Sequence, residues 1–339
     1  MHILVTGAAG FIGFHAASRL LSEGHHVIGI DSINNYYDTK IKHARLGKLQ
    51  SNKNFIFYQS NIEDYEKVYA ELQSFNIQGI IHLAAQAGVR YSIENPFAYA
   101  QSNLLGFTSI LEIARQFKVN HLVYASTSSV YGSNENLPFA EKNIADHPIQ
   151  FYAATKRANE LMAHSYSSLY DIPTTGLRFF TVYGPWGRPD MALFKFTKNI
   201  LSGEEIEVYN HGKHLRDFTY VDDIVDGILR AFHSPAKPDD AWDPSNPLPN
   251  ISSAPFKIYN IGNSNSINLL EYIQLIEDCL NKKAKIKFLP LQKGDVVSTK
   301  SDISSIKSEL GYEPQINVKI GVSNFIEWYL NYYQETGVQ

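Results

Sequence analysis

The sequence predicts an α/β fold: a Rossmann-type, doubly wound parallel sheet with a smaller C-terminal α/β lobe for substrate. Three observations carry this expectation. Short apolar runs alternate with helical patterns through the first half of the chain. A glycine-rich turn separates the first run from the first helical pattern. The chain has 339 residues, long for one compact core, so a second lobe and a cleft between lobes are expected.

The apolar runs at 3–5, 27–30, 55–58, 79–83 and 121–125 read as parallel strands joined by crossover helices. Between the first two, residues 11–23 carry apolar side chains at helical spacing and stop at Gly24, which suits a C-terminal cap. Further helices are expected at 104–117, 152–169, 191–201 and 269–280, and later strands at 174–180 and 257–261. From Ser234 to Pro255 the chain turns to Pro, Asp, Asn and Ser; so many missing backbone donors predict a surface loop. The expected domains are therefore a Rossmann unit at 1–180, with returning segments near 217–233 and 257–263. A substrate lobe is expected at 181–216 and 264–335, with the surface loop at 234–256.

Hydrophobic residues make up 44% and charged residues 19%, an ordinary globular composition. The net charge is −4 with no long basic run, which argues against a nucleic-acid groove or an anionic membrane surface. Any anionic ligand must therefore be met by a few placed groups. No apolar stretch approaches the roughly 18 residues needed to span a bilayer. The first residues read as a strand from the start, so no secretory signal is expected. With Cys279 as the only cysteine, no internal disulfide can form, and a cytoplasmic protein is expected. Helical spacing places Cys279 in a helix core.

The chemistry begins at Thr6-Gly7-Ala8-Ala9-Gly10-Phe11-Ile12-Gly13. Gly7 permits a tight turn, Gly10 lets a pyrophosphate approach the backbone, and Gly13 lets the helix pack on the sheet. The free N–H groups of the helix start then face the phosphates. Glycines also serve plain turns, so Asp31 matters. It closes the second strand about 20 residues on, where a carboxylate binds ribose hydroxyls and repels a 2′-phosphate, favouring NAD over NADP. The alternative for Asp31 is a cap on the following loop.

Tyr152 and Lys156 stand four residues apart, on one face of a helix. A tyrosine of reference pKa about 10 must lose roughly three units to act as a base at neutral pH, about 4 kcal/mol of differential stabilisation. Lys156 and a positive nicotinamide ring can supply it. Ser126-Thr127-Ser128-Ser129 follows a predicted strand directly, where ligands of open α/β sheets bind.

Together these residues resemble the extended short-chain dehydrogenase/reductase family of nucleotide-sugar epimerases and dehydratases. The similarity runs through nearly the whole chain. It implies bound NAD, a UDP- or dTDP-sugar substrate, and a homodimer made by pairing helices near 104–117 and 152–169. Gly7, Gly10 and Gly13, with Phe11 and Ile12 between them, match the dinucleotide fingerprint, and Asp31 the ribose-binding acid. Leu83-Ala84-Ala85-Gln86 is similar to the strand end lining the nicotinamide. Asn103 matches a structural asparagine grouped with the cofactor site. Thr127, Tyr152 and Lys156 match the catalytic triad, and Ser126 belongs with the cofactor residues. Asn61, with Ile62 beside it, stands where the family often has an Asp next to the adenine.

Two longer stretches, 85–96 and 178–191, look most like the UDP-glucuronate 4-epimerase subgroup. Thr181 stands where epimerases of neutral sugars usually carry Asn. By the same resemblance, Arg216 is a diphosphate ligand and Asp295 a contact near the uridine ribose. Gln292 replaces a second phosphate-binding Arg, which leaves Arg216 and Arg188 for the diphosphate.

The implied reaction has Tyr152 remove the C4 hydroxyl proton while NAD takes the hydride; the 4-keto sugar rotates and is reduced from its other face. From UDP-glucuronate that intermediate is a β-keto acid prone to lose CO₂. The hydroxyls of Thr127, Ser128, Ser129 and Thr181 are expected to hold the carboxylate out of alignment with the carbonyl. Dehydratases resembling this family have Asp-Glu where this chain has Ser128-Ser129, and related decarboxylases keep an acid there. UDP-glucose 4-epimerase and an inactive NAD-binding regulator are the remaining alternatives. No metal is expected. His82 reads as a packed neighbour of the sheet, His211 and His214 as solvated turn residues, and Tyr36 with Tyr37 as a surface aromatic pair that could also cover the adenine.

Overall fold

The computed structural model describes residues 1–336. Its first β-α-β unit comprises strand β1 (His2–Thr6), helix α1 (Phe11–Ser22) and strand β2 (His26–Asp31). On α1, Phe14, Ala17, Leu20 and Leu21 recur at helical spacing and are buried against the sheet. Helix α2 (Thr39–Gln50), strand β3 (Phe55–Gln59), helix α3 (Tyr65–Leu72) and strand β4 (Ile77–His82) follow. Two short helical turns, α4 (Tyr91–Glu94) and α5 (Pro96–Tyr99), lead through a π-helical turn at Ala100–Leu105 into α6 (Gly106–Phe117). Strand β5 (Leu122–Thr127), helix α7 (Phe151–Tyr170) and strand β6 (Thr174–Phe179) come next.

The chain then forms β7 (Thr181–Tyr183), α8 (Ala192–Ser202), β8 (Glu205–Val208), β9 (Leu215–Tyr220) and α9 (Val221–Phe232). After the loop come β10 (Phe256–Ile261), β11 (Ser266–Asn268), α10 (Leu269–Leu280), β12 (Lys285–Phe288), α11 (Ser304–Leu310) and α12 (Val318–Thr336). Seven strands pair in the order β10-β6-β5-β4-β1-β2-β3, all parallel. The strand order reverses between β1 and β4, which opens a crevice at their carboxyl ends. Two small sheets, β11-β9-β7 and β12-β8, sit beyond.

Apolar cores cover both faces of the large sheet. Helix α9 shows why: Val221, Ile224, Val225, Ile228, Leu229 and Phe232 recur at three and four and are all buried. A third core, rich in aromatics, joins α8, α10 and α12 to the small sheets. The proline-rich stretch after α9 carries no helix or named strand. No helix among the described residues is long and apolar enough to cross a membrane.

Two expectations fail. Cys279 is exposed, because Tyr272, Ile273 and Ile276 define the buried face of α10 and leave it outside. His214, just before β9, is buried while His211 stays exposed, since the turn folds back so that the His214 carbonyl accepts from Leu269 N at 3.0 Å.

Candidate active site

A cavity of about 620 Å³ lies at the carboxyl ends of the parallel strands, where the switch in strand order predicts a ligand. It is lined by Gly7, Gly10, Phe11, Ile12, Gly13 and Asp31 on the β1 and β2 side, and by Asn61 and Ile62 after β3. Leu83 to Gln86 line it after β4, Ser126 to Ser129 after β5, and Tyr152 and Lys156 from α7. Thr181 and Arg188 close the opposite wall. Asn103, Arg216 and Asp295 lie outside this lining.

The glycine turn is shaped for a diphosphate. Gly7 has a φ of 72°, and a Cβ there would stand 2.8 Å from the Ala84 nitrogen; one on Gly13 would stand 2.0 Å from the Gly7 carbonyl oxygen. Helix α1 starts at Gly10 with no side-chain cap, so its first N–H groups face the cavity unclaimed by a cap. The Asp31 carboxylate accepts from Ala9 N at 3.1 Å and Ile33 N at 2.8 Å. It thus caps the loop and still lines the cavity, and a carboxylate has lone pairs left for two ribose hydroxyls. The residues present fit NAD. Tyr36 also lines this cavity, with its hydroxyl 3.3 Å from Asp190, so the Tyr36-Tyr37 pair is not merely a surface feature.

The Tyr152 phenol is pushed up by burial and pulled back by the charge of Arg188 and by the Thr127 hydroxyl. Burial brings Lys156 down to about 8, opposed by Glu160. Its ammonium donates to Asn159 Oδ1 at 3.4 Å, and Asn159 Nδ2 donates to the Asn103 carbonyl at 2.6 Å. Asn103 in turn accepts from Gln86 N at 2.8 Å and donates to Gln86 O at 3.1 Å and to Thr155 Oγ1 at 3.0 Å. It holds the loop after β4 against α7. His82 is buried, hydrogen-bonded to Thr6 Oγ1 at 2.7 Å, and kept neutral by burial with Lys156 nearby.

Arg188 forms an ion pair with Asp190 on the cavity wall. Arg216 lies further out, donating to Val297 O at 2.9 Å, in the field of Asp295. Asp295 meets Arg90 at 3.5 Å, and Arg90 stacks 4.6 Å above the Tyr209 ring. The structure therefore sets Arg188 on the cavity wall and Arg216 and Asp295 apart from it. At the opposite end of the sheet, Glu23, His25 and His233 bring ligand atoms within 4.8 Å of one another. Arg19 already neutralises that carboxylate at 2.8 Å.

The model of the NAD dependent epimerase/dehydratase family matches residues 3–262. The chain belongs to this family. It is 51% identical to Protein CapI of Staphylococcus aureus, over 99% of this chain and 100% of that one. It is 45% identical to the probable UDP-glucuronate 4-epimerase of Rhizobium meliloti, over 98% of each chain. Among solved structures, it is similar to the UDP-glucuronic acid 4-epimerase of Bacillus cereus in complex with UDP-glucuronic acid and NAD. That similarity has a TM-score of 0.86 at 31% identity, covering 98% of this chain and 100% of the other.

In this member of the epimerase/dehydratase family, several site residues carry no spacing signal. Glu160 is the exception: it lies eight residues from Tyr152 and four from Lys156, hence on their side of the helix. Its fully buried carboxylate accepts from Ser126 Oγ at 2.6 Å, from Arg178 at 2.9 and 2.8 Å, and from Arg157 at 2.9 Å. Arg45, Arg90 and Asp190 act through partners far away in sequence or in a loop, and nothing in the sequence singles them out.

Proposed function

We propose that this protein is a UDP-glucuronate 4-epimerase, interconverting UDP-glucuronate and UDP-galacturonate with NAD held in the cavity. The observation that carries the reading is the wall around Tyr152 and Lys156: Thr127, Ser128, Ser129 and Thr181 line it, and no carboxylate does. Among the described residues lining the cavity, only Asp31 and Glu63 carry carboxylates, both at the end formed by β2 and β3. Glu160 is close by, but its oxygens are taken by Arg178, Arg157 and Ser126. Removal of water across C5–C6 therefore lacks an acid and a base.

Tyr152 takes the C4 hydroxyl proton and later returns it. Gly7, Gly10, Gly13 and Asp31 would hold NAD, which when bound would supply a reversible hydride acceptor for C4. Arg188 and Thr127 favour the phenolate against burial. Lys156, pinned by Asn159, holds the other side of the reacting centre. The hydroxyls of Thr127, Ser128, Ser129 and Thr181 clasp the glucuronate carboxylate and keep the C5–carboxylate bond out of line with the C4 carbonyl, which suppresses loss of CO₂. Arg216 and Asp295 meet the diphosphate and uridine ribose, with Arg188 turned to the sugar end.

We assign the cofactor unit to residues 1–180 with the returning segments 217–233 and 257–263, and the substrate lobe to 181–216 and 264–335. We further propose a homodimer paired through α6 and α7. Phe97 on α5, Leu105 in the π-helical turn that leads into α6, and Leu161 and Leu169 on α7 stand exposed at 79%, 53%, 58% and 67%, apolar surface that a second copy would cover. Light scattering tests this. The lone cysteine suits the cytoplasm.

The deciding experiment gives the purified protein, without added NAD, UDP-glucuronate or UDP-glucose in separate tubes and follows each by proton NMR. UDP-galacturonate is the expected product. Conversion of the neutral sugar alone overturns the substrate, a UDP-pentose shows decarboxylation, and silence in both tubes leaves an NAD-binding protein without catalysis.

A further inference from the structure

Arg45 on α2 is fully buried, and no ion pair among the described residues includes it. A buried guanidinium held only by neutral acceptors is costly to keep, so what it holds is informative. Its Nη1 donates to the Ala9 carbonyl and to the Tyr37 hydroxyl, both at 2.9 Å. Its Nη2 donates to the carbonyls of Trp186 at 2.7 Å and Gly187 at 3.3 Å. One planar fork thus spans the glycine turn of the cofactor site and the turn that ends in Arg188.

That second turn needs holding. Trp186 has a φ of 60°, a left-handed conformation that a bulky aromatic residue adopts only when its surroundings impose it. Arg45 grips its carbonyl, while its ring packs on Phe14 and Trp328 at 5.5 and 5.2 Å. His15 Nε2 donates to the neighbouring Pro185 carbonyl at 2.9 Å. Phe14 and His15 belong to α1, the helix that starts at the glycine turn. The turn at 184–188 is moored to the cofactor side from two helices.

We propose that Arg45 is a positioning residue for the reaction: it locks the Arg188-bearing turn onto the glycine turn, so that the cofactor cradle and the Arg188 guanidinium, which lines the same cavity as Tyr152, keep one geometry. The groups around Tyr152 are Arg188 from this turn, Thr127 at the end of β5, Lys156 on its own helix, and the Tyr99 ring of α5 at 6.1 Å. Of these, Arg188 is the one Arg45 places. When Arg45 is lost, Arg188 leaves its station, and the phenol loses the charge that opposes burial. The phenolate then forms only at higher pH.

The rate readout rests on the 4-epimerase function proposed above. The test compares NAD-loaded wild type, Arg45→Lys and Arg45→Met by kcat on UDP-glucuronate across neutral and alkaline pH. In both variants the rising limb of kcat moves up by about one pH unit, a roughly tenfold loss at neutral pH that alkali restores. A merely structural role lowers kcat equally at every pH. In an Arg188→Met background, adding Arg45→Lys leaves the profile where Arg188→Met alone puts it. A wild-type profile in both variants overturns the inference, as does a full second shift on top of Arg188→Met. If Arg45→Met fails to fold, Arg45→Lys decides. A wild type that leaves UDP-glucuronate untouched sinks the function instead; retention of NAD through gel filtration, expected to fall in Arg45→Lys, then decides for Arg45.

Discussion

The Ser126 hydroxyl donates across 2.6 Å to the Glu160 carboxylate, joining the end of β5 to the helix that carries Tyr152 and Lys156. Glu160 is also the sole ion-pair partner of Arg178 among the described residues, and both are fully buried. Replacing Glu160 with Gln strands the guanidinium, which should cost about 3–5 kcal/mol of stability. Ser126→Ala removes one hydrogen bond and should cost about 1 kcal/mol. Denaturant unfolding of the two variants checks the ordering.

Tyr152→Phe removes the proton acceptor while leaving the ring in place. Epimerisation should fall by about 10²–10⁴-fold with NAD still bound. Progress curves by NMR, beside cofactor content measured after denaturation, check both halves.

Burial holds Lys156 at about 8 in the folded protein, against an ordinary lysine value of 10.5. Between those values the unfolded chain binds more protons than the folded one, so stability from this group rises with pH across that window and the full cost is carried below it. With cofactor removed, Lys156→Met should therefore be more stable than wild type at neutral pH, by on the order of 3 kcal/mol. The gap should close as pH climbs toward the upper value. Urea titrations at neutral and alkaline pH measure it.

Asp31→Ala takes away the carboxylate at the end of β2 and frees the Ile33 N–H. NAD binding should weaken about ten- to hundredfold, the range for hydrogen bonds to a charged group. Fluorescence titration of the stripped protein with NAD gives the number.

Replacing Ser128 and Ser129 together with Ala thins the hydroxyl wall. The share of UDP-pentose in the product should rise about tenfold, in line with loss of one or two charge-assisted hydrogen bonds. Product ratios by NMR decide it, and an unchanged ratio would remove these serines from carboxylate control.

The first half of the fold was legible because its signals are local. Gly7, Gly10, Gly13 and Asp31 lie within one β-α-β unit, and Tyr152 with Lys156 within one helical turn. Thr127 to Ser129 follow directly on a strand. What stayed hidden depends on contacts across long stretches of chain. Asn103 is expected to be structural, but its partners, Gln86 and Thr155, lie 17 and 52 residues away and are not legible. The importance of Arg45 lies in partners at positions 9, 186 and 187. Helical spacing buried Cys279 because the period alone does not say which face meets a neighbour. His214 departs from its expected exposure for the opposite reason, since a turn spelled with Gly and Lys can still fold inward.

The π-helical turn at Ala100–Leu105 amounts to one extra residue wound into an otherwise regular helix. Deleting a single residue there would let the α-helix run straight and swing everything before it by about 100°. The Tyr99 hydroxyl, which now donates to the Ala87 and Gly88 carbonyls, would be carried off the loop that borders the cavity. A chain one residue shorter should thus remain folded yet lose the floor of its binding site, which makes this single added position a length marker that insertions and deletions must respect.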